Sequence, residues 1–113
     1  DCMKELDIHY GMPTAEEAMA RLELFLSTYK NKETCIKIIH GYGSSGKGGK
    51  IKERCRALLD TKKQRGIIKE YLPGEAIHSF MGYVDVIERY KKYLQGDKDY
   101  TRSNDGVTFV FFR

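Results

Sequence analysis

Thr34-Cys35-Ile36-Lys37-Ile38-Ile39-His40-Gly41-Tyr42-Gly43 is the stretch that decides the fold. Ile36, Ile38 and Ile39 predict a buried strand, because β-branched side chains pack well on a pleated surface. His40 ends that strand, and the glycine-rich run Gly41 to Gly49 opens a loop. Upstream, Leu6-Asp7-Ile8-His9 alternates apolar and polar residues, the pattern of a short strand with one buried face. It too finishes on a histidine. Between the two lies Thr14-Ala15-Glu16-Glu17, where Thr14 can cap a helix and Glu17 can reach back to it. Ala15, Ala18, Leu22, Phe25, Leu26 and Tyr29 follow at helical spacing, which predicts a helix over residues 15–29. A strand, a helix and a second strand in this order form a right-handed βαβ unit with parallel strands. Both histidines then fall at carboxyl ends of strands, where open α/β sheets gather their chemistry.

Downstream, Ile51, Cys55, Leu58 and Leu59 mark a second amphipathic helix over about residues 50–63, with Lys52, Arg56 and Lys63 on its other face. Gly66 closes it, Ile67 to Leu72 predicts a third strand, and Pro73-Gly74 ends that strand. Apolar residues from Ile77 to Leu94 predict a third helix beginning near Tyr83. Asn104-Asp105-Gly106 is a turn, and Val107 to Phe112 is a last, aromatic-rich strand. The order is β-α-β-α-β-α-β.

A chain of 113 residues holds one domain. Its 41% hydrophobic and 32% charged content are those of a folded globular domain rather than of a disordered chain. No apolar run approaches the ~20 residues that cross a bilayer, and no signal peptide is visible. Position 1 is Asp rather than Met, which points to a fragment or processed chain. Cys2, Cys35 and Cys55 are too few and too unevenly spaced for a disulfide framework or a zinc site; reduced thiols and a cytoplasmic location are expected. The net charge of +4 is uneven. Residues 1–46 sum to −2, residues 47–72 to +6, and residues 73–113 to zero. Such a block is either a footprint for phosphates or a solvated helix face.

Phosphodiester cleavage needs a base, an acid and positive charge on the phosphate. His9 and His40 carry imidazoles whose ordinary pKa of ~6.5 suits both proton transfers. With RNA, one can activate a 2′-hydroxyl while the other protonates the 5′-oxygen, with no metal. Residues i and i+2 of a strand share a face, so Asp7 is expected beside His9, to orient a histidine or hold a divalent cation. The glycines of the loop let backbone N–H groups approach a phosphate. Lys47 and Lys50 add charge at a helix N-terminus that already favours anions. Lys52, Arg54 and Arg56 can extend that surface, and Tyr42 can either stack on a base or pack on the helix. The run from Gly41 to Gly48 nearly fits a nucleotide-binding P-loop, but glycine stands at 48 where a hydroxyl should hold Mg²⁺.

Taken together, Leu6-Asp7-Ile8-His9, Thr14 to Ala18, Ile39-His40-Gly41-Tyr42-Gly43 and Asn104 to Thr108 resemble the Smr (small MutS-related) domain family. The resemblance runs from about Leu6 to Phe112. It implies a two-layer α/β sandwich over a mixed four-stranded sheet, like the C-terminal domain of bacterial translation initiation factor three. It also implies an endonuclease that nicks DNA or cleaves RNA, in some members at stalled ribosomes. By resemblance the functional elements fall on Asp7 and His9, and on His40, Gly41 and Gly43. The phosphate-binding set is expected at Gly41, Tyr42, Gly43, Gly46, Lys47, Lys50 and Arg54. No metal site and no cofactor is expected beyond a divalent cation at Asp7. The expected partner is RNA or DNA, with no membrane, and the oligomeric state is left open. The alternative is a non-catalytic nucleic-acid or ribosome-binding module. Two departures stand out. Tyr10 separates His9 from its glycine in a longer Gly11-Met12-Pro13 turn, and a helical segment at about 74–103 is inserted, expected at a sheet edge.

Overall fold

The computed structural model describes residues 3–42, 46–78 and 82–113. Strands β1 (Lys4–Asp7) and β2 (Cys35–Ile39) run parallel, with Lys4 opposite Ile36 and Asp7 opposite Ile39. They are joined by helix α1 (Ala15–Tyr29), whose start follows from the capping box. Thr14 Oγ1 accepts from the Glu17 N–H at 3.1 Å, and Glu17 Oε1 accepts from the Thr14 N–H at 2.8 Å. Helix α2 (Gly46–Gln64) leads to β3 (Glu70–Pro73), and the chain closes on β4 (Val107–Phe111). The sheet order is β1-β2-β4-β3, with β4 antiparallel to both neighbours. This is an open, mixed four-stranded α/β sheet, with the carboxyl ends of β1 and β2 side by side.

Two boundaries differ from the sequence pattern. Gly66, at φ +73°, closes α2: its N–H donates to Lys63 O and the Ile67 N–H to Lys62 O. This Schellman arrangement draws Ile67 and Ile68 into the helix terminus, so β3 starts only at Glu70. At its other end α2 starts at Gly46 rather than Lys50, running through Gly48 and Gly49 despite their low helix propensity.

Strand alternation divides the core in two. Ile36, Ile38 and Val110 pack with Leu22, Phe25 and Leu26 of α1 and with Ile51, Cys55 and Leu59 of α2. Cys35, Val107, Phe109 and Phe111 face the other way, against Leu72, Ala76, Tyr90 and Leu94. The inserted segment therefore covers the second face of the sheet instead of lying at an edge, and the sheet carries helices on both faces rather than one. Nor is it a single helix. It comprises a 3₁₀ turn (Gly74–His78), α3 (Val84–Arg89), α4 (Lys91–Leu94) and α5 (Lys98–Thr101). The break at Tyr90 has a cause: its ring stacks on Phe111, 3.8 Å between centroids and 7° from parallel, while its hydroxyl donates to Arg113 O. Phe80 and Met81, part of the predicted helical pattern, lie outside the described residues.

Lys37 alternates with Ile36 and Ile38 and so points into the second face. Its ammonium lies 2.7 Å from carboxylate oxygens of both Asp97 and Asp99. Burial alone would lower its pKa, but these two carboxylates hold it above the usual lysine range. The trio ties α5 to the centre of the sheet. Cys35 and Cys55 are free, buried thiols, pushed up by burial, Cys55 to about 12. Cys2 lies outside the described residues.

Candidate functional site

β1 stops at Asp7, and residues 8–11 turn away from the sheet. The cause is local: Asp7 Oδ1 accepts the His9 N–H at 2.8 Å, an Asx turn. Asp7 and His9 therefore do not share a strand face, as alternation suggested; the exposed carboxylate of Asp7 fixes the His9 backbone instead. Ile8 keeps one further bond to β2, from its N–H to Ile39 O, and is fully buried. Arg21 of α1 holds the outer part of the turn, donating to Tyr10 O at 2.7 Å and more weakly to Ile8 O at 3.4 Å. The extra length is absorbed at Gly11 and Met12, both at positive φ.

The turn lays the half-buried His9 ring on Gly41. A Cβ built on Gly41 would lie 3.3 Å from His9 Cδ2, and Gly41 sits at φ +83°. Glycine is needed here for both reasons. The two histidine motifs thus meet, although the contact is between His9 and the glycine rather than between the imidazoles.

His40 is enclosed, with 0% exposure. Its Nδ1 lies 2.8 Å from Gly41 O and its Nε2 lies 2.8 Å from Thr108 Oγ1. A carbonyl only accepts, so Nδ1 donates and Nε2 accepts the threonine hydroxyl. Arg56 Nε in turn donates to Thr108 Oγ1 at 3.1 Å, and the guanidinium grips Glu75 with bonds of 2.8 and 2.9 Å. Burial, helped by the nearby charges of Arg56 and Lys52, lowers the His40 pKa to about 4, so the ring is neutral at pH 7. Of the two histidines expected to exchange protons, only His9 presents part of its ring to the surface.

The basic block is largely paired. Arg56 and Lys52 face Glu75, and Lys52 also lies 3.8 Å from Asp105. Lys62 pairs with Glu23 and Lys63 with Glu70. Lys52 and Arg56 are thus engaged within the fold rather than extending a phosphate surface. Arg54 keeps only a loose 3.9 Å contact with Glu16. Among the described residues of the block near the site, Lys50 is exposed and in no ion pair; it shares a shallow depression with Arg54 and the start of α1. Gly46 opens α2, whereas Gly43 and the Lys47 side chain lie outside what is described. Tyr10 is 77% exposed and Tyr42 is 64% exposed, one beside each of the two residues in contact. Beneath them, Gly106 O accepts from the N–H groups of both His40 and Gly41.

The roles of Arg21, Thr108, Glu75 and Gly106 were not visible in sequence. The one available signal was Thr108, the lone hydroxyl in an otherwise apolar strand.

The family model of the Smr domain matches residues 6–89. The chain belongs to the Smr domain family. Smr domains bind nucleic acid, and some members are nucleases. The matched stretch of this Smr domain includes the end of β1, all of β2, both histidine turns and the Arg56–Glu75 pair; β4, with Thr108, follows it. No curated protein and no solved structure matches the chain. Among the described residues of this Smr domain no helix is long and apolar enough to span a membrane, and no three His, Cys, Asp or Glu side chains are grouped as metal ligands.

Proposed function

We propose that this Smr domain binds a nucleic-acid backbone across the carboxyl ends of β1 and β2 and cleaves it there, with His9 as the proton-transferring histidine. The observation that carries this function is half-buried His9 resting on Gly41, each followed in the chain by an exposed tyrosine. Lys50, Arg54 and the positive end of the α2 dipole supply positive potential for a phosphate, with Lys47 as a further contributor. His40 is a positioning residue: it holds Gly41 O, and Gly41 supports His9. Asp7 acts on His9 through the backbone, and its second carboxylate oxygen is available to a proton or a divalent cation. The fold belongs with that of the C-terminal domain of translation initiation factor three, in keeping with the mixed sheet. The reduced thiols of Cys35 and Cys55 support a cytoplasmic setting, where messenger RNA on ribosomes is one source of substrate.

The test is cleavage of single-stranded RNA, duplex RNA and supercoiled DNA, with and without chelator. His9→Ala should abolish cleavage while leaving binding within a fewfold of wild type. Cleavage that survives His9→Ala refutes the assignment. The alternative, a non-catalytic module, is favoured by the burial of His40, which withdraws the second imidazole. Tight binding without cleavage of any substrate would establish it.

A further inference from the structure

A groove of about 210 Å³ opens beside the His9–Gly41 contact, lined by Tyr42, Arg102, Ser103, Asn104 and Asp105. One wall, Tyr42, comes from the family motif. The other comes from the end of α5 and the turn before β4, beyond the residues that match the family. We propose that this groove is a subsite for one unpaired nucleobase, so that the Smr domain takes single-stranded nucleic acid in preference to duplex; this rests on the nucleic-acid reading above.

The floor of the groove is built before any ligand arrives. Ser103 Oγ donates to Glu75 O at 3.2 Å, Asn104 Nδ2 to Asp99 Oδ1 at 2.8 Å, and the Gly106 N–H to Asn104 Oδ1 at 2.8 Å. Little ordering cost then remains to be met on binding. Gly106 supports the aromatic wall: a Cβ on it would lie 3.5 Å from Tyr42 Cδ1. Tyr42 is mostly in solvent, so its ring presents apolar surface that a flat partner can cover. Arg102, also in the lining, is exposed and forms no ion pair among the described residues, so its guanidinium can meet a phosphate. The volume is below the range of pockets that enclose whole small ligands, and it suits a single ring system entering from an open side. An aromatic side chain and a cation lining one groove are the pair of features that holds bases of single strands, since every base offers a π-face once it leaves the stack. In a duplex both faces are covered by neighbouring pairs, and the groove has nothing to accept.

Fluorescence anisotropy with labelled oligonucleotides of one sequence, as single strands and as duplexes of RNA and of DNA, tests the subsite. Tyr42→Ala should weaken single-strand binding about fivefold or more, while Tyr42→Phe stays within about twofold, since stacking needs only the ring. Duplex binding should not change. Arg102→Ala should reduce the slope of log K against log salt by about 0.7 for single strands. Thermal unfolding of each variant confirms folding, which these exposed positions should leave intact. Equal losses on duplex, an unchanged Tyr42→Ala, or a Tyr42→Phe as weak as Tyr42→Ala each overturn the subsite. Single-strand binding that responds to Lys50→Ala and Arg54→Ala but to neither groove variant sinks the groove alone. A wild type that binds no nucleic acid overturns the parent function together with it.

Discussion

The imidazole of His9 rests on the α-carbon of Gly41, so close that a methyl group there would lie 3.3 Å from Cδ2. Gly41 also holds φ +83°, where an L-residue is strained by about 1–2 kcal/mol. Gly41→Ala should therefore lower stability by that amount and push the His9 ring off its seat. Thermal unfolding should show a drop of several degrees, and the ring resonances of His9 should shift. A variant with the wild-type melting temperature and unmoved resonances would show that the contact is loose.

The burial of His40 makes acid stability predictable. Its folded pKa, about 4, lies below the ordinary 6.5 of the unfolded chain. Between these values the unfolded state binds more protons, so stability rises with pH. The contribution is fully present above about pH 6.5 and is lost as pH falls toward 4, amounting to roughly 3 kcal/mol at ~1.4 kcal/mol per pH unit. Urea unfolding at pH 7, 5.5 and 4.5 measures the loss, and NMR titration locates the group. A His40 midpoint near that of a free histidine would contradict the enclosed, neutral ring.

Thr108 stands between His40 and Arg56, accepting from one and donating to the other. Thr108→Val preserves shape but strands both partners in the interior, each at a cost of about 1–3 kcal/mol. Thr108→Ser keeps the hydroxyl and should recover most of that stability. Denaturation midpoints for the two variants decide the matter: equal midpoints would mean that the threonine acts only through its methyl group.

What could be read in the sequence was local. The Thr14–Glu17 capping box and the helical spacing from Ala18 to Tyr29 act within one element, and both appear where the pattern put them. The parallel pairing of β1 and β2 followed from connection length and handedness. The failures were non-local or concerned the backbone of turns. The position of His40 depends on Thr108, 68 residues away. The fate of Arg56 and Lys52 depends on Glu75 and Asp105, which no window along α2 contains. The Asx turn at Asp7 broke an alternation that read as a strand, and Gly66 turned the apolar pair Ile67-Ile68 into a helix terminus. The residues that meet at the site were therefore legible as motifs, while their burial and division of labour were not.

Arg21 offers a way to separate the site from the fold. It reaches from α1 to the carbonyls of Tyr10 and Ile8, on either side of His9, and no ion pair holds it among the described residues. Arg21→Gln removes the charge and shortens the reach, so the longer turn that seats His9 loses its outer anchor. A hydrogen bond from a charged donor contributes about 1.5–3 kcal/mol, less where solvent competes, as at the exposed Tyr10 carbonyl. The global loss of stability should accordingly be at most about 1.5 kcal/mol. The local effect should be larger: hydrogen exchange of the amides of residues 9–11 should accelerate while those of β2 and β4 stay protected. If the proposed role of His9 holds, cleavage should fall in kcat more than in KM, because the variant disorders the His9 ring without touching Lys50 or Arg54. Lysine at this position, with one charge but no fork, should restore only part of the loss. Exchange that quickens equally across the whole sheet would instead make Arg21 a general stabiliser with no particular bearing on His9.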